Sequence, residues 1–348
     1  MQSMNKRRLA WLSIIVAFSL TAAACGGDDD DAGADSGTDN GSEPEGGGDA
    51  SGEVNISGSS TVLPISQAVG EAFQEENSDA TVIVDGPGTG DGFELFCNGE
   101  TDISDASRAI DEEEIAACEA SGIEYVELQI AYDGLTVMTN PNNDSAPECL
   151  SFADLYALIG PESEGFSDWS DASALASELG SSTELPDESL DLTGPGTESG
   201  TYDSFIELAL ADIATERGQP DDTTRSDYDA SPDDNVIVQN IEASDTSLGW
   251  VGFAYAEAAG DQVQEIPVSA EPDGDCIEPS AETIADGTYP LSRSLYIYVN
   301  SAKIEENAAL APFVDFYLAG MNDFVETAGY VPLPDDQVSA TTSAWEGR

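Results

Sequence analysis

Basic residues are so scarce in this chain that each one is informative. The 348 residues include 70 Asp and Glu against 9 Lys and Arg, a formal net charge of −61. Three of the nine, Lys6, Arg7 and Arg8, lie at the extreme N-terminus. An arginine kept among small and polar residues in such a chain points to an anion that must be held. Residues 102–110 (DISDASRAI) place Arg108 beside Ser107 in that setting. The guanidinium fork suits a planar or tetrahedral oxyanion. Three small-residue loops offer matching chemistry: 58–62 (GSSTV), 86–92 (GPGTGDG) and 194–201 (GPGTESGT). Their candidate donors are Ser60, Thr61 and the Val62 N–H, then Thr89, and then Ser199, Gly200 and Thr201. Backbone amides at helix starts and short hydroxyls hold an oxyanion reversibly, with no covalent step.

The elements around these loops put them where ligands gather. Residues 54–57 and 81–84 (TVIV) read as strands, and 102–104 as a third strand end. Val62, Ile65, Val69, Ala72 and Phe73 follow helical spacing, with Pro64 tolerated in the first turn. Further helices are expected at 93–97, 111–121, 151–159, 202–213, 253–258 and 308–318, and near 233–241 with Ser231 as cap. Further strands are expected at 125–128, 134–139, 190–192 and 248–251, with 264–268 and 291–299 returning to the first half. Strand, loop and helix in repetition argue an α/β fold with a mostly parallel or mixed sheet. In such sheets ligands bind at the carboxyl ends of strands, the position of every candidate loop.

The chain ends and bulk composition set the class. Lys6–Arg8 precede a short apolar run, 9–20, and then Ala22, Ala23, Ala24 and Cys25. This resembles a bacterial lipoprotein signal with Cys25 as the lipidated residue, so 1–25 is read as a lipoprotein signal peptide. The alternative is an ordinary secretory signal with an incidental cysteine. Residues 26–52, rich in Gly, Asp, Ser and Glu, read as a flexible acidic tether. The charge excludes nucleic acid as a partner, because no basic footprint exists. Cys97, Cys118, Cys149 and Cys276 remain, an even number in an exported chain. Two disulfides with three possible connectivities follow, and Cys97–Cys118 with Cys149–Cys276 is the favoured pair. The chain has no His, which removes Cys–His zinc sites and Ser–His catalysis.

The ordered motifs GSSTV-x-P, GPGTGDGF-x-x-F, DI-x-x-ASR, GPGT-x-SGT-Y and GYVPLP resemble the phosphate-binding proteins of ABC-type phosphate importers. The resemblance runs from about Val54 to about Pro334. It implies a type II periplasmic-binding-protein fold, with two α/β lobes closing over one phosphate by a hinge. The lobes would be 53–130 with 265–348, and 131–264. Thr61, Val62, Thr89 and Ser107 would line the first lobe's side, and Ser199, Gly200 and Thr201 the second's. It implies no cofactor, a monomer, permease subunits of an ABC importer as partners, and a site outside the cytoplasm on the outer face of the membrane, held by the lipid on Cys25.

This chain departs from the family at two positions. An arginine expected just before the SGT loop is replaced by 194–197 (GPGT), and Arg108 is expected to stand in for it from the other lobe. An aspartate expected at Ser107 is missing, and Asp91, Asp105 and Glu198 stay open as the acceptor that reads a phosphate proton. Arg225 is expected to pair with nearby acids, ligand contact being the alternative. Arg217 and Arg293 are expected as salt-bridged surface groups. Phe253, Tyr255, Tyr296 and Tyr298 are expected to pack. Competing functions are capture of sulfate or molybdate, and an extracytoplasmic phosphate-ester hydrolase, which would need a base that Ser107 and Thr201 lack.

Overall fold

In the computed structural model, which describes residues 50–197 and 199–348, strands and helices alternate. β1 (Gly52–Gly58) leads into α1 (Leu63–Glu76), β2 (Ala80–Asp85) into α2 (Thr89–Cys97), and β3 (Ile103–Ala106) into α3 (Glu112–Ser121). Then come β4 (Tyr125–Thr139), β5 (Leu150–Ser151), α4 (Phe152–Ile159), α5 (Ser173–Glu178) and β6 (Asp191–Pro195). Helix α6 (Gly200–Phe205) runs on through a π-helical turn, Ile206–Leu210, into α7 (Ala211–Arg217). Next are β7 (Asp229–Ser231), α8 (Asp234–Ala243), β8 (Ser247–Gly252), α9 (Phe253–Ala259), β9 (Gln264–Glu265), β10 (Val268–Ser269) and α10 (Ala281–Ala285). The chain ends with β11 (Ser292–Asn300), α11 (Ser301–Glu306), α12 (Leu310–Thr327), β12 (Val331–Pro332) and α13 (Asp335–Glu346).

The strands lie in the order β2-β1-β3-β11-β4-β8-β6-β7. β1 is parallel to β2 and β3, and β6 is parallel to β7 and β8, giving two α/β halves. β4 joins them. Residues 125–134 pair with β11, and Leu135–Met138 pair with β8. Packing follows the apolar stripes. Ile65, Val69 and Phe73 of α1 are buried, and Phe73 meets Phe313 of α12 edge-on at 5.4 Å. Truncating Phe73 to alanine would cost about 3–5 kcal/mol. α3 begins at a capping box, with Asp111 accepting from the Glu114 N–H and Glu114 from that of Asp111. Disulfides join Cys97 to Cys118 and Cys149 to Cys276, the favoured connectivity.

The structure revises four local expectations. β4 is one strand rather than two, because Asp133 finds buried partners and Ile284 fills the space left by Gly134. α2 starts at Thr89 rather than 93, so the glycine-rich loop forms its first turn. Gly92 is required there, since a Cβ would lie 2.4 Å from the Gly58 Cα. Asp233, not Ser231, caps α8 by accepting from the Asn235 N–H. β9 and β10 do not return to the first half. They pair with β4 at Met138–Thr139 and with β5, where the Cys149–Cys276 bridge also holds the chain. Among the described residues no helix is long and apolar enough to cross a membrane.

Candidate functional site

Arg293 of β11 and Asp133 of β4 face each other in register on adjacent antiparallel strands. Cross-strand neighbours share a face, so the two side chains meet where the halves join. The Arg293 Nε donates to Asp133 Oδ2 at 3.3 Å. Its Nη2 donates to Thr61 Oγ1 at 2.9 Å and Ser204 Oγ at 2.7 Å, and its Nη1 pairs with Glu207. Ser204 Oγ donates in turn to Asp133 Oδ2 at 2.7 Å. One step away, Ser60 Oγ donates to Asp203 Oδ2 at 2.8 Å. Thr61 comes from the β1–α1 turn and Ser204 from α6, so the arginine stitches both halves. Burial pushes the Asp133 carboxyl up, and the Arg293 charge opposes that shift. A buried charge stripped of its partner here would cost several kcal/mol.

This stitched seam divides the predicted loops into two groups. A cleft of about 570 Å³ is lined by Thr89, Asp91, Ser107, Arg108, Glu207 and Arg293. Thr89, in the first turn of α2, accepts from the Ser107 N–H at 3.2 Å, and the two hydroxyls lie 3.0 Å apart. Arg108 forks onto Glu114 at 2.8 and 2.7 Å, with Asp111 at 3.7 Å and the Phe93 ring beneath it. Its side chain is 44% exposed. A second cavity, of about 280 Å³, is lined by Ser199, Gly200 and Thr201 together with Asp133 and Tyr330. Ser199 Oγ accepts from the Thr201 N–H at 3.2 Å, capping α6.

Ser60 and Thr61 line neither cavity but contact residues of both, Thr61 through Arg293 and both through Gly200. Gly200 packs so closely there that a Cβ on it would be 3.3 Å from the Thr61 Cα. The Thr61 and Val62 N–H groups turn inward to Ser59 Oγ, at 3.1 and 3.4 Å. The structure therefore brings Thr89, Ser107 and Arg108 together, and separately Ser199, Gly200 and Thr201. Ser60 and Thr61 are engaged across the seam by Asp203 and Ser204, and the Val62 amide serves its own turn.

Of the three open acids, Asp91 lines the larger cleft. Asp105 is buried beneath α1. Its Oδ1 accepts from Ser66 Oγ at 3.0 Å, its Oδ2 has no hydrogen-bond partner, and burial pushes it up to about 7. Glu198 lies outside the described residues, as do Cys25 and the whole 1–49 segment. Arg225 is 4% exposed and pairs with Asp227, which fits the structural expectation for it. Arg217 pairs with Glu162 and Glu178. Arg293 is salt-bridged as expected but is no surface group, being 12% exposed at the seam. The sequence placed Arg293 at the surface and gave no reason to single out Asp133. The available signal was an acid inside an apolar strand and, for Arg293, a base flanked by two serines at the start of another.

Relatives agree with this architecture. Residues 43–320 match the PBP superfamily domain. The chain is 38% identical over 291 residues to Protein SphX of Synechococcus elongatus, covering 83% of this chain and 80% of that one. It is 34% identical over 321 residues to the phosphate-binding protein PstS of Staphylococcus saprophyticus, covering 92% and 88%. A crystal structure of a possible phosphate binding protein from Planctomyces limnophilus superposes with a TM-score of 0.76 at 36% identity, covering 86% of this chain and 99% of that one. The fold is the two-lobed α/β architecture of periplasmic binding proteins, with β4 passing from one lobe to the other. The chain belongs to the PBP superfamily and, within it, to the phosphate-binding protein family.

Proposed function

We propose that the protein captures inorganic phosphate between its two lobes and delivers it to the permease subunits of an ABC importer, without chemical turnover. The observation that carries this reading is the cleft that gathers the hydroxyls of Thr89 and Ser107 with Arg108 and Arg293. Two of the nine basic residues in a chain of net charge −61 are spent on one concave surface. Charge-assisted bonds from arginine and short hydroxyl dipoles are what a doubly charged tetrahedral ion requires. The relatives named for phosphate binding support phosphate as that ion.

Ser60, Thr61, Thr89, Ser107, Arg108 and Arg293 are the proposed contacts of the first lobe, with the Val62 N–H joining them once it turns from Ser59 Oγ, and Ser199, Gly200 and Thr201 are those of the second. Both sets reach one ion when the Ser60–Asp203 and Thr61–Ser204 contacts part and the lobes close again around it. The two disulfides suit an oxidising, extracytoplasmic setting. The lipobox-like sequence before Cys25 supports attachment to the outer face of the membrane. Isothermal calorimetry tests the assignment. One phosphate should bind per chain, and sulfate and molybdate should bind far more weakly. Preference for either of those, or turnover of a chromogenic phosphate ester, would replace phosphate capture with another function.

A further inference from the structure

The geometry points to Glu207 as an internal competitor that contests the oxyanion's hold on Arg293 and so sets the affinity of the cleft. The inference rests on the phosphate-capture reading and deepens it. The edges of the Arg293 guanidinium differ in what holds them. Nε and Nη2 are engaged by Asp133, Thr61 and Ser204, all at least nine-tenths buried. While the lobes stay together, those partners are held by packing and by one another. Nη1 alone is held by a group that can leave, since the Glu207 side chain is 53% exposed.

Glu207 belongs to the opposite lobe and sits in the π-helical turn Ile206–Leu210. Such turns carry an extra residue per turn, and they recur at functional sites. Its carboxylate lines the same cleft as Thr89, Ser107 and Arg108. A phosphate seated among those three groups gains the Nη1 edge only when the Glu207 carboxylate gives it up. The two anions also repel one another across the cleft. Glu207 therefore opposes binding twice, through competition and through like charge. The same opposition assists release, which a delivery protein needs as much as capture.

The test is phosphate calorimetry on the full chain as wild type and as Glu207→Gln, with thermal unfolding as a control for folding. Glutamine keeps the shape and removes the charge. The expected result is a gain in phosphate affinity of about 3- to 5-fold, the size of a half-exposed ion pair expressed as a binding ratio. In an Arg293→Lys background, which loses the fork, the gain from Glu207→Gln should shrink to the smaller part that like-charge repulsion contributes. Unchanged or weaker binding by Glu207→Gln, with wild type binding phosphate, overturns the inference alone. A gain that persists in full beside Arg293→Lys also overturns it, because Glu207 would then act by long-range repulsion. Failure of wild type to bind phosphate at all overturns the capture reading, and this inference with it.

Discussion

Arg225 is buried and Arg293 nearly so in an acidic chain, and they are held in different ways. Arg225 is pinned from within one lobe. Its Nη2 donates to the Phe166 carbonyl at 2.6 Å, its Nη1 lies 3.5 Å from the Leu158 carbonyl, and its Nε donates to Asp227 at 2.6 Å. Arg293 touches side chains only: two hydroxyls and two carboxylates, drawn from both lobes. Backbone carbonyls cannot leave without unfolding the segment that bears them. Hydroxyls and carboxylates on separate lobes can exchange partners as the lobes move. The first arrangement makes an arginine part of the scaffold, and the second makes it available to a ligand. Burial alone does not tell the two apart, and neither does charge. The chemical type of the partners does.

Two alanine substitutions break this comparison most directly. Arg293→Ala should weaken phosphate binding by about 2–5 kcal/mol, the range for truncating one side of a desolvated charge pair. Calorimetry on folded protein reads it, and a loss below about tenfold would make Arg293 a structural group like Arg225. Arg225→Ala should do the converse. It should lower the unfolding free energy by about 3 kcal/mol, the low end for a broken buried pair, because Asp227 stays within reach of water. Urea titration measures that loss, while phosphate affinity per folded molecule should be unchanged.

Asp105 sharpens the comparison from the acid side, as a buried carboxyl given no counter-ion. With its carboxyl raised to about 7 from 3.8, the folded protein keeps a proton that the unfolded chain releases above pH 4. Its contribution to stability is therefore full below pH 3.8 and is lost as pH rises through about 7. Asp105→Asn retains an acceptor for Ser66 and removes the titration. The variant should gain on wild type between pH 5 and pH 8 by on the order of a few kcal/mol in urea titrations. An equal difference at both pH values would mean that Asp105 is ionised throughout.

What the sequence made legible was local. Small-residue turns between a strand-like run and a helical stripe located the loops, and Thr89 beside Ser107 came out as neighbours. Arg225 was readable because its carboxylate partner is two residues away in Asp227. The Arg293 site was not, because its partners lie 160, 232 and 89 residues distant along the chain. Only the β4–β11 register brings Arg293 to Asp133, and that register depends on reading β4 as one strand. Asp133-Gly134 looks like a break by composition. In the fold it is a buried charge pair next to a gap filled by Ile284. The polar residues that interrupt an apolar strand were the functional signal, and they were also what hid the strand.

Arg108 is the intermediate case. It faces the same cleft as Arg293, yet it is half-exposed and already forked onto Glu114. A phosphate gains from it one charge-assisted bond in contact with water. Arg108→Ala should therefore cost about 1.5 kcal/mol of affinity, the low end for a hydrogen bond to a charged group. The order Arg293→Ala above Arg108→Ala is the sharper statement. Its reversal would move the anchoring arginine to the loop after β3.

The smallest effect concerns the field in which both arginines work. A chain of net charge −61 repels a phosphate dianion at long range, and the two cleft arginines attract it only once it is near. Salt screens the distant repulsion before the close attraction, since the Debye length falls from about 10 Å at 0.1 M to about 3 Å at 1 M. Stopped-flow association with phosphate should then accelerate as salt rises toward ~1 M. A rate that falls with salt would show that Arg108 and Arg293 project a local positive funnel beyond the cleft mouth. In that case Glu114 and Glu207 neutralise them less than their ion pairs imply, and the distinction between a pinned and an exchangeable arginine would extend to how the ligand arrives.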